Sequence, residues 1–168
     1  IGLLTAQVAK LAGIRVVYGT DLLDYRVDAG RKYGVDVAFN AAGQNTVEMI
    51  MRETGGRGVD VAFDTARSSE TPGLACEVVR PAGRCVLTGI SGKDYDPFPV
   101  GVARRKELTL RWCRRFRHDY PRAIALAGSG KVDVASLITH SFPLERAGEA
   151  FELVAVSEGH VLKACVDI

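Results

Sequence analysis

The stretch IGLLTAQVAKLAGIRVVYGTD, residues 1–21, decides the fold. Ile1, Leu4, Val8 and Leu11 recur at spacings of three, four and three, which predicts a helix carrying them on one face. Gly13 stands where such a helix stops. RVVYGTD, residues 15–21, is then a short β-branched run ending in an acid. Asp21 follows Gly2 by 19 residues. The segment opens inside a helix, with no cap in front of it, so a preceding strand and turn are expected.

Outward from this segment, strand and helix signals alternate. DLLDYRVDAGRKYG, residues 21–34, reads as a helix with Asp24 as N-cap and Gly34 as its stop. Gly30 in its interior costs about 1 kcal/mol relative to alanine. A strand follows at 35–40, a helix at 45–56 and a strand at 59–64. The hexapeptide GVDVAF occurs at 34–39 and again at 58–63, but the flanks differ. Two parallel strands with the same need for small and β-branched residues explain it. Residues 68–83 read as a helix with its turn, and 84–90 as a strand. After a loop holding Pro97 and Pro99, ELTLRWC (107–113) alternates apolar with polar and reads as a strand. A helix is predicted over 119–131, with Pro121 in its first turn. An irregular stretch to Phe142, a helix from Pro143 to Val156 and a strand at 160–166 complete the chain. This order predicts βαβ units and an α/β fold with a doubly wound parallel sheet. Ligands bind such sheets at the carboxyl ends of the strands. The residues there are Asp21, 64–67, 88–91 and 114–116.

Asp21 admits two readings. In dinucleotide-binding folds a Gly-rich turn leads into a helix, and an acid about 20 residues on binds a ribose 2′-OH. The spacing fits if Gly2 is the last glycine of that turn, and the helix N-terminus then faces a pyrophosphate. Alternatively, Asp21 only caps the next helix. If it binds the ribose, an acid favours NAD over NADP, because a 2′-phosphate would meet a carboxylate.

Composition narrows the classes. A length of 168 residues allows one domain with a sizeable core, and a net charge of +2 calls for neither nucleic acid nor membrane. Apolar runs are too short for a transmembrane span, and no signal peptide is visible. The four cysteines, Cys76, Cys85, Cys113 and Cys165, form no CxxC pair, which points to reduced core thiols in a cytoplasmic protein. His118, His140 and His160 have no metal-ligand spacing, so neither a catalytic side chain nor a metal site is expected in this chain.

Several blocks together resemble the medium-chain dehydrogenase/reductase superfamily, and within it the zinc-dependent polyol (sorbitol and xylitol) dehydrogenases. They are IGLLTAQVAKLAG, TDLLDYR, GGRGVDVAFD, VVRPAGRCVLTGI, RRFRHDYPRAIAL and ITHSFPLERAGEAFELV, in family order across essentially the whole chain. The resemblance implies a Rossmann domain over 1–140 that lacks its first strand. A C-terminal segment, 141–168, would border a catalytic domain absent from the chain. It implies an NAD-dependent oxidoreductase that oxidises a secondary alcohol of a polyol to a ketone, with zinc held only in that absent domain. Ile1 and Gly2 would face the pyrophosphate, Asp21 the adenosine ribose, and Arg26 the adenine or ribose. Thr65 and Ala66 would line the cofactor cleft, Thr88 and Ile90 would support the nicotinamide, and Lys163 would contact the pyrophosphate. Arg115 matches a family arginine that reaches substrate or cofactor. Three positions depart from the pattern: Arg67 replaces a glycine, Ser141 an arginine, and Phe116 a tyrosine.

Residues 104–118 hold Arg104, Arg105, Lys106, Arg111, Arg114, Arg115 and Arg117, interleaved with Trp112 and Phe116. Alone, the run looks like a nucleic-acid stripe. The rest of the chain is not basic, and the resemblance accounts for Arg115, so nucleic acid is not expected as a partner. The resemblance implies instead that this edge strand joins a homo-oligomer, a dimer or tetramer. Three competing readings are a zinc-independent quinone or enoyl reductase, an S-adenosylmethionine-dependent methyltransferase, and a catalytically silent nucleotide-binding fragment. Asp21 argues against the first, which prefers NADPH. The blocks beyond residue 107 do not fit the second.

Overall fold

The computed structural model describes residues 1–116 and 118–168; Arg117 of the basic run lies outside the described residues. Seven α-helices, one short 3-10 helix (Leu144–Arg146) and seven strands are assigned among the described residues, and every strand pairing is parallel. The α/β class with parallel strands is therefore as the alternation predicts, with the strands divided over three sheets. The chain forms two compact units, Ile1–Gly2 with Gly43–Arg117, and Leu3–Ala42 with His118–Ile168.

The first unit is built on a three-stranded sheet in the order β3 (Val59–Asp64), β4 (Val79–Leu87), β5 (Thr109–Trp112). Asp64 pairs with Leu87 and Leu87 with Trp112, so the three carboxyl ends lie side by side. α3 (Thr46–Glu53) starts at Asn45, whose side chain accepts the Glu48 N–H. α4 (Thr71–Val78) carries Pro72 in its first turn, where a missing N–H costs nothing. Ala75 and Cys76 of α4 pack on Val79, Cys85 and Leu87, and the partly buried Ala62, Phe98, Val102 and Leu110 close round them. Lys106 caps the end of α4. Its ammonium donates to the carbonyls of Glu77 at 2.6 Å, Val79 at 2.8 Å and Cys76 at 3.3 Å. One lysine of the basic run is thus structural.

The second unit holds two paired sheets: β1 (Tyr18–Asp21) with β2 (Val37–Asn40), and β6 (His140–Pro143) with β7 (Ala164–Asp167). Its helices are α1 (Gly2–Leu11), α2 (Asp24–Lys32), α6 (Tyr120–Gly128) and α7 (Ala147–Val156), α1 being counted here except for Gly2. Its buried side chains include Ala6, Ala9, Val27, Tyr33, Val132, Ala150 and Val161.

Several elements differ from expectation. The buried face of α1 is Ala6 and Ala9, while Val8 and Leu11 are exposed at 43% and 47%. Small side chains set the close approach, and the larger apolar residues flank it. RVVYGTD pairs only over its last four residues. Asp24 is the first helical residue, not the N-cap; Leu23 is the cap, and the Asp24 carboxylate accepts the Asn40 amide at 2.5 Å. β4 begins at Val79, inside the segment expected to be a helix turn, because a bulge between Val59 and Val61 lets it pair early. The proline loop contains a short helix, α5 (Val100–Arg105), and the stretch expected to be irregular ends in β6.

Candidate cofactor site

The residues after β3, β4 and β5 belong to one unit, and their geometry is dictated by Asp64. This residue ends VDVAFD and is 6% exposed, the one charged residue among the buried described residues. Its Oδ1 accepts the Ala66 N–H at 3.1 Å, which closes the turn that carries Thr65 and Ala66. Its carbonyl accepts the Thr88 N–H at 2.9 Å, the Gly89 N–H at 3.0 Å and the Thr88 hydroxyl at 2.6 Å. The turns after β3 and β4 therefore meet on one residue. They also touch directly: a Cβ on Gly89 would lie 2.0 Å from the Ala66 carbonyl oxygen.

Thr65 is half-buried, and a Cβ on Gly2 would meet its hydroxyl oxygen at 3.1 Å. The absence of a side chain at Gly2 thus leaves room for the Thr65 hydroxyl. Thr88 turns its hydroxyl inward to Asp64, so it serves the backbone here. Ile90 is 73% exposed. Arg67, in place of the glycine, is exposed and makes no side-chain hydrogen bond or ion pair among the described residues. Arg115 is exposed and sits at φ +52°, a left-handed conformation uncommon for a side-chain-bearing residue.

In the second unit Asp21 ends β1. Its Oδ1 accepts the Leu23 N–H at 3.1 Å, and its carbonyl accepts the Ala41 N–H at 2.9 Å. Among the described residues its Oδ2 accepts no hydrogen bond, leaving an acceptor for a ligand hydroxyl. Arg26 is half-buried and internally engaged: Nε donates to the Tyr25 hydroxyl and Nη2 to the Ser157 hydroxyl, both at 3.1 Å. Tyr25 donates to the Val161 carbonyl at 3.2 Å and stacks on His160 at 4.9 Å between ring centres. Lys163 is exposed, and its carbonyl accepts the Thr139 N–H at 3.0 Å. Its ammonium makes no hydrogen bond or ion pair among the described residues, which leaves it available to an anion.

Sequence reasoning placed Asp64 and Gly89 among the strand-end residues but gave neither a role, and it missed the Tyr25–His160 stack. The signal for a role at Asp64 was present, an acid at the last position of a strand. The fit differs between the expected groups. Taken singly, Asp21 offers a hydroxyl acceptor, Gly2 an uncrowded helix start and Lys163 a cation, each a group that a dinucleotide can use. No three His, Cys, Asp or Glu side chains gather into a metal-holding group among the described residues, so the residues present do not fit a zinc ion. No helix among them is long and apolar enough to cross a membrane.

Comparison with known proteins finds dehydrogenases and reductases. Sorbitol dehydrogenase 1 of Saccharomyces cerevisiae is 30% identical over 99% of this chain and 48% of its own length. D-xylulose reductase A of Aspergillus niger is 34% identical over 95% of this chain and 46% of its own. The chain spans about half the length of the curated relatives it matches. Among solved structures, one described as a short chain alcohol dehydrogenase from Escherichia coli CFT073 complexed with cofactor NADH superposes with a TM-score of 0.89. It is 25% identical, and the match covers 100% of this chain and 49% of that one. The family model for zinc-binding dehydrogenases matches residues 1–129. With its parallel strands, its helix opening on Gly2 and its acid at the end of β1, this chain belongs to the zinc-binding dehydrogenase family.

Proposed function

We propose that this chain is the NAD-binding portion of an oxidoreductase that oxidises a secondary alcohol of a polyol to a ketone. The observation that carries the reading is the acid at the end of β1, with one carboxylate oxygen unused, 19 residues after the glycine that opens α1. An acceptor at that place suits a ribose diol and repels a 2′-phosphate. The names of the relatives, sorbitol dehydrogenase and D-xylulose reductase, support a polyol substrate.

The roles follow. Ile1 and Gly2 lie against the pyrophosphate, where helix N–H groups favour an anion, and Lys163 adds a cation. Asp21 holds the adenosine ribose with Arg26 behind it. Thr65 and Ala66 line the cofactor, Thr88 and Ile90 support the nicotinamide, and Arg115 reaches the substrate. Residues 1–140 form the nucleotide-binding domain, and 141–168 border the part of the protein that holds zinc. Polarisation of the alcohol oxygen by that zinc belongs to the rest of the protein. Two copies join through the free edge of β5, in the cytoplasm.

The test measures NAD and NADP dissociation constants in the natural full-length protein. Asp21→Ala is expected to weaken NAD about tenfold and narrow the NAD/NADP ratio. An unchanged ratio removes Asp21 from the ribose. A wild type that prefers NADPH favours the quinone or enoyl reductase reading instead.

A further inference from the structure

We propose that Asp64 is a positioning residue for the cofactor, a buried carboxylate that sets the two loops meant to hold the nicotinamide half. The inference rests on the NAD reading above, and concerns a residue that reading does not use. A buried carboxylate is costly unless hydrogen-bonded, so its place at the buried end of β3 needs a reason. Asp64 has one on each side. Its Oδ1 takes the Ala66 N–H, and its main chain takes three donors from Thr88 and Gly89. The two loops then cross so closely that Gly89 has no space for a Cβ beside the Ala66 carbonyl or beside Asp64 Oδ2, 2.0 Å and 2.8 Å away. Gly2 and Thr65 come within the same assembly.

Shortening Asp64 frees the Ala66 N–H and removes the tie that Oδ1 gives the turn carrying Thr65 and Ala66. A turn without that tie samples more backbone conformations, and a ligand then has to order it on binding. Asp64 touches no reacting atom; it acts through Thr65, Ala66 and Thr88.

The experiment compares Asp64→Ala and Asp64→Asn in the natural full-length protein, reading the NADH dissociation constant by calorimetry well below the melting temperature. Asparagine keeps an acceptor for Ala66. Expected are a dissociation constant raised about tenfold in Asp64→Ala and within about threefold of wild type in Asp64→Asn. Asp64→Ala melting earlier with an unchanged dissociation constant would show a purely structural role and overturn the proposal. Hydrogen exchange on the unsubstituted protein gives an answer even if Asp64→Ala does not fold. NADH should protect 64–67 and 88–91 together, and protection of one segment or of neither refutes the coupling. A wild type that does not bind NADH fails the NAD reading itself, and is distinguishable from a wild type that binds while Asp64→Ala binds equally.

Discussion

The two units hold their functional side chains by different means. In the three-stranded unit, the loops after β3 and β4 are fixed by backbone crossings, by Asp64 and by a core whose Val79, Cys76 and Cys85 are fully buried. In the unit of paired sheets, no residue of α6 is buried and α7 buries only Ala150. Asp21, Arg26 and Lys163 there are held by strand ends and by partly buried hydrogen bonds. Steric fixation leaves little tolerance, because a close-packed backbone crossing cannot relax. Hydrogen bonds near solvent can be replaced by water, so the same-sized lesion costs less. Substitutions in the two units should therefore fall into two classes of effect.

The harshest test is Gly89→Ala. Its new methyl would sit 2.0 Å from a backbone oxygen, between two loops that are both bonded to Asp64. A loss of at least about 3 kcal/mol in urea unfolding is expected, together with loss of NAD binding. Near-wild-type stability would mean the crossing yields, and the contrast between the units would collapse.

The next test uses pH. Burial and the neighbouring Cys76, 4.0 Å away between sulfurs, push the Cys85 thiol up to about 12 from an ordinary 9.0. The folded state holds this proton more tightly than the unfolded chain. The corresponding stability is complete below about pH 9 and is lost as pH rises towards 12. Cys85→Ala should show a shallower alkaline decline of its urea midpoint than wild type. Parallel declines would mean the core around Cys85 is not what resists alkali. The same burial predicts that a thiol reagent modifies exposed Cys113 first and reaches Cys76 and Cys85 only on unfolding.

The sequence exposed these regions unevenly. β3 spans Val59–Asp64 as expected, because VDVAFD is a compact β-branched run bounded by glycines and a turn. The 19-residue spacing from Gly2 to Asp21 was equally legible, since it is residue type at a fixed interval, and the roles proposed for the two rest on it. What stayed hidden depends on contacts between distant segments. Nothing local to Gly89 announces that Ala66 lies against it, and nothing local to Lys106 announces the three carbonyls of α4's end. The apolar repeat Ile1, Leu4, Val8, Leu11 named the wrong face of α1. Periodicity registers large residues, whereas the helix buries its alanines. Arg26 was placed by resemblance, and its bonds to Tyr25 and Ser157 come from packing of α2 beside the end of α7.

In the unit of paired sheets, Lys163→Ala should raise the NAD dissociation constant about fivefold, with a weaker salt dependence than wild type. A single exposed cation contributes through a screened interaction, so the fold should be unaffected. An unchanged dissociation constant removes Lys163 from the pyrophosphate. A loss as large as that of Gly89→Ala would mean this unit is held as rigidly as the other.

The mildest effect is expected at Asp36, in that same unit. Its carboxylate accepts the Val17 N–H at 2.6 Å and the Lys10 ammonium at 2.9 Å, and Lys10 also donates to the Arg15 carbonyl at 3.0 Å. These bonds, the Val17 N–H first and Lys10 second, hold the Asp36 pKa below its ordinary 3.8. A lowered folded pKa contributes stability above the ordinary carboxylate range, and that stability is lost as pH falls through the folded value. Both partners are more than a third exposed, at 35% for Lys10 and 38% for Asp36. Solvent screening therefore keeps the pair's worth at or below about 1 kcal/mol. Asp36→Asn should lower the urea midpoint slightly at neutral pH, and the difference from wild type should vanish under acid. A difference that persists at acid pH would assign the effect to the Val17 tie rather than to charge. One as large as that of Gly89→Ala would show that a solvent-facing clasp can fix a turn as firmly as a backbone crossing.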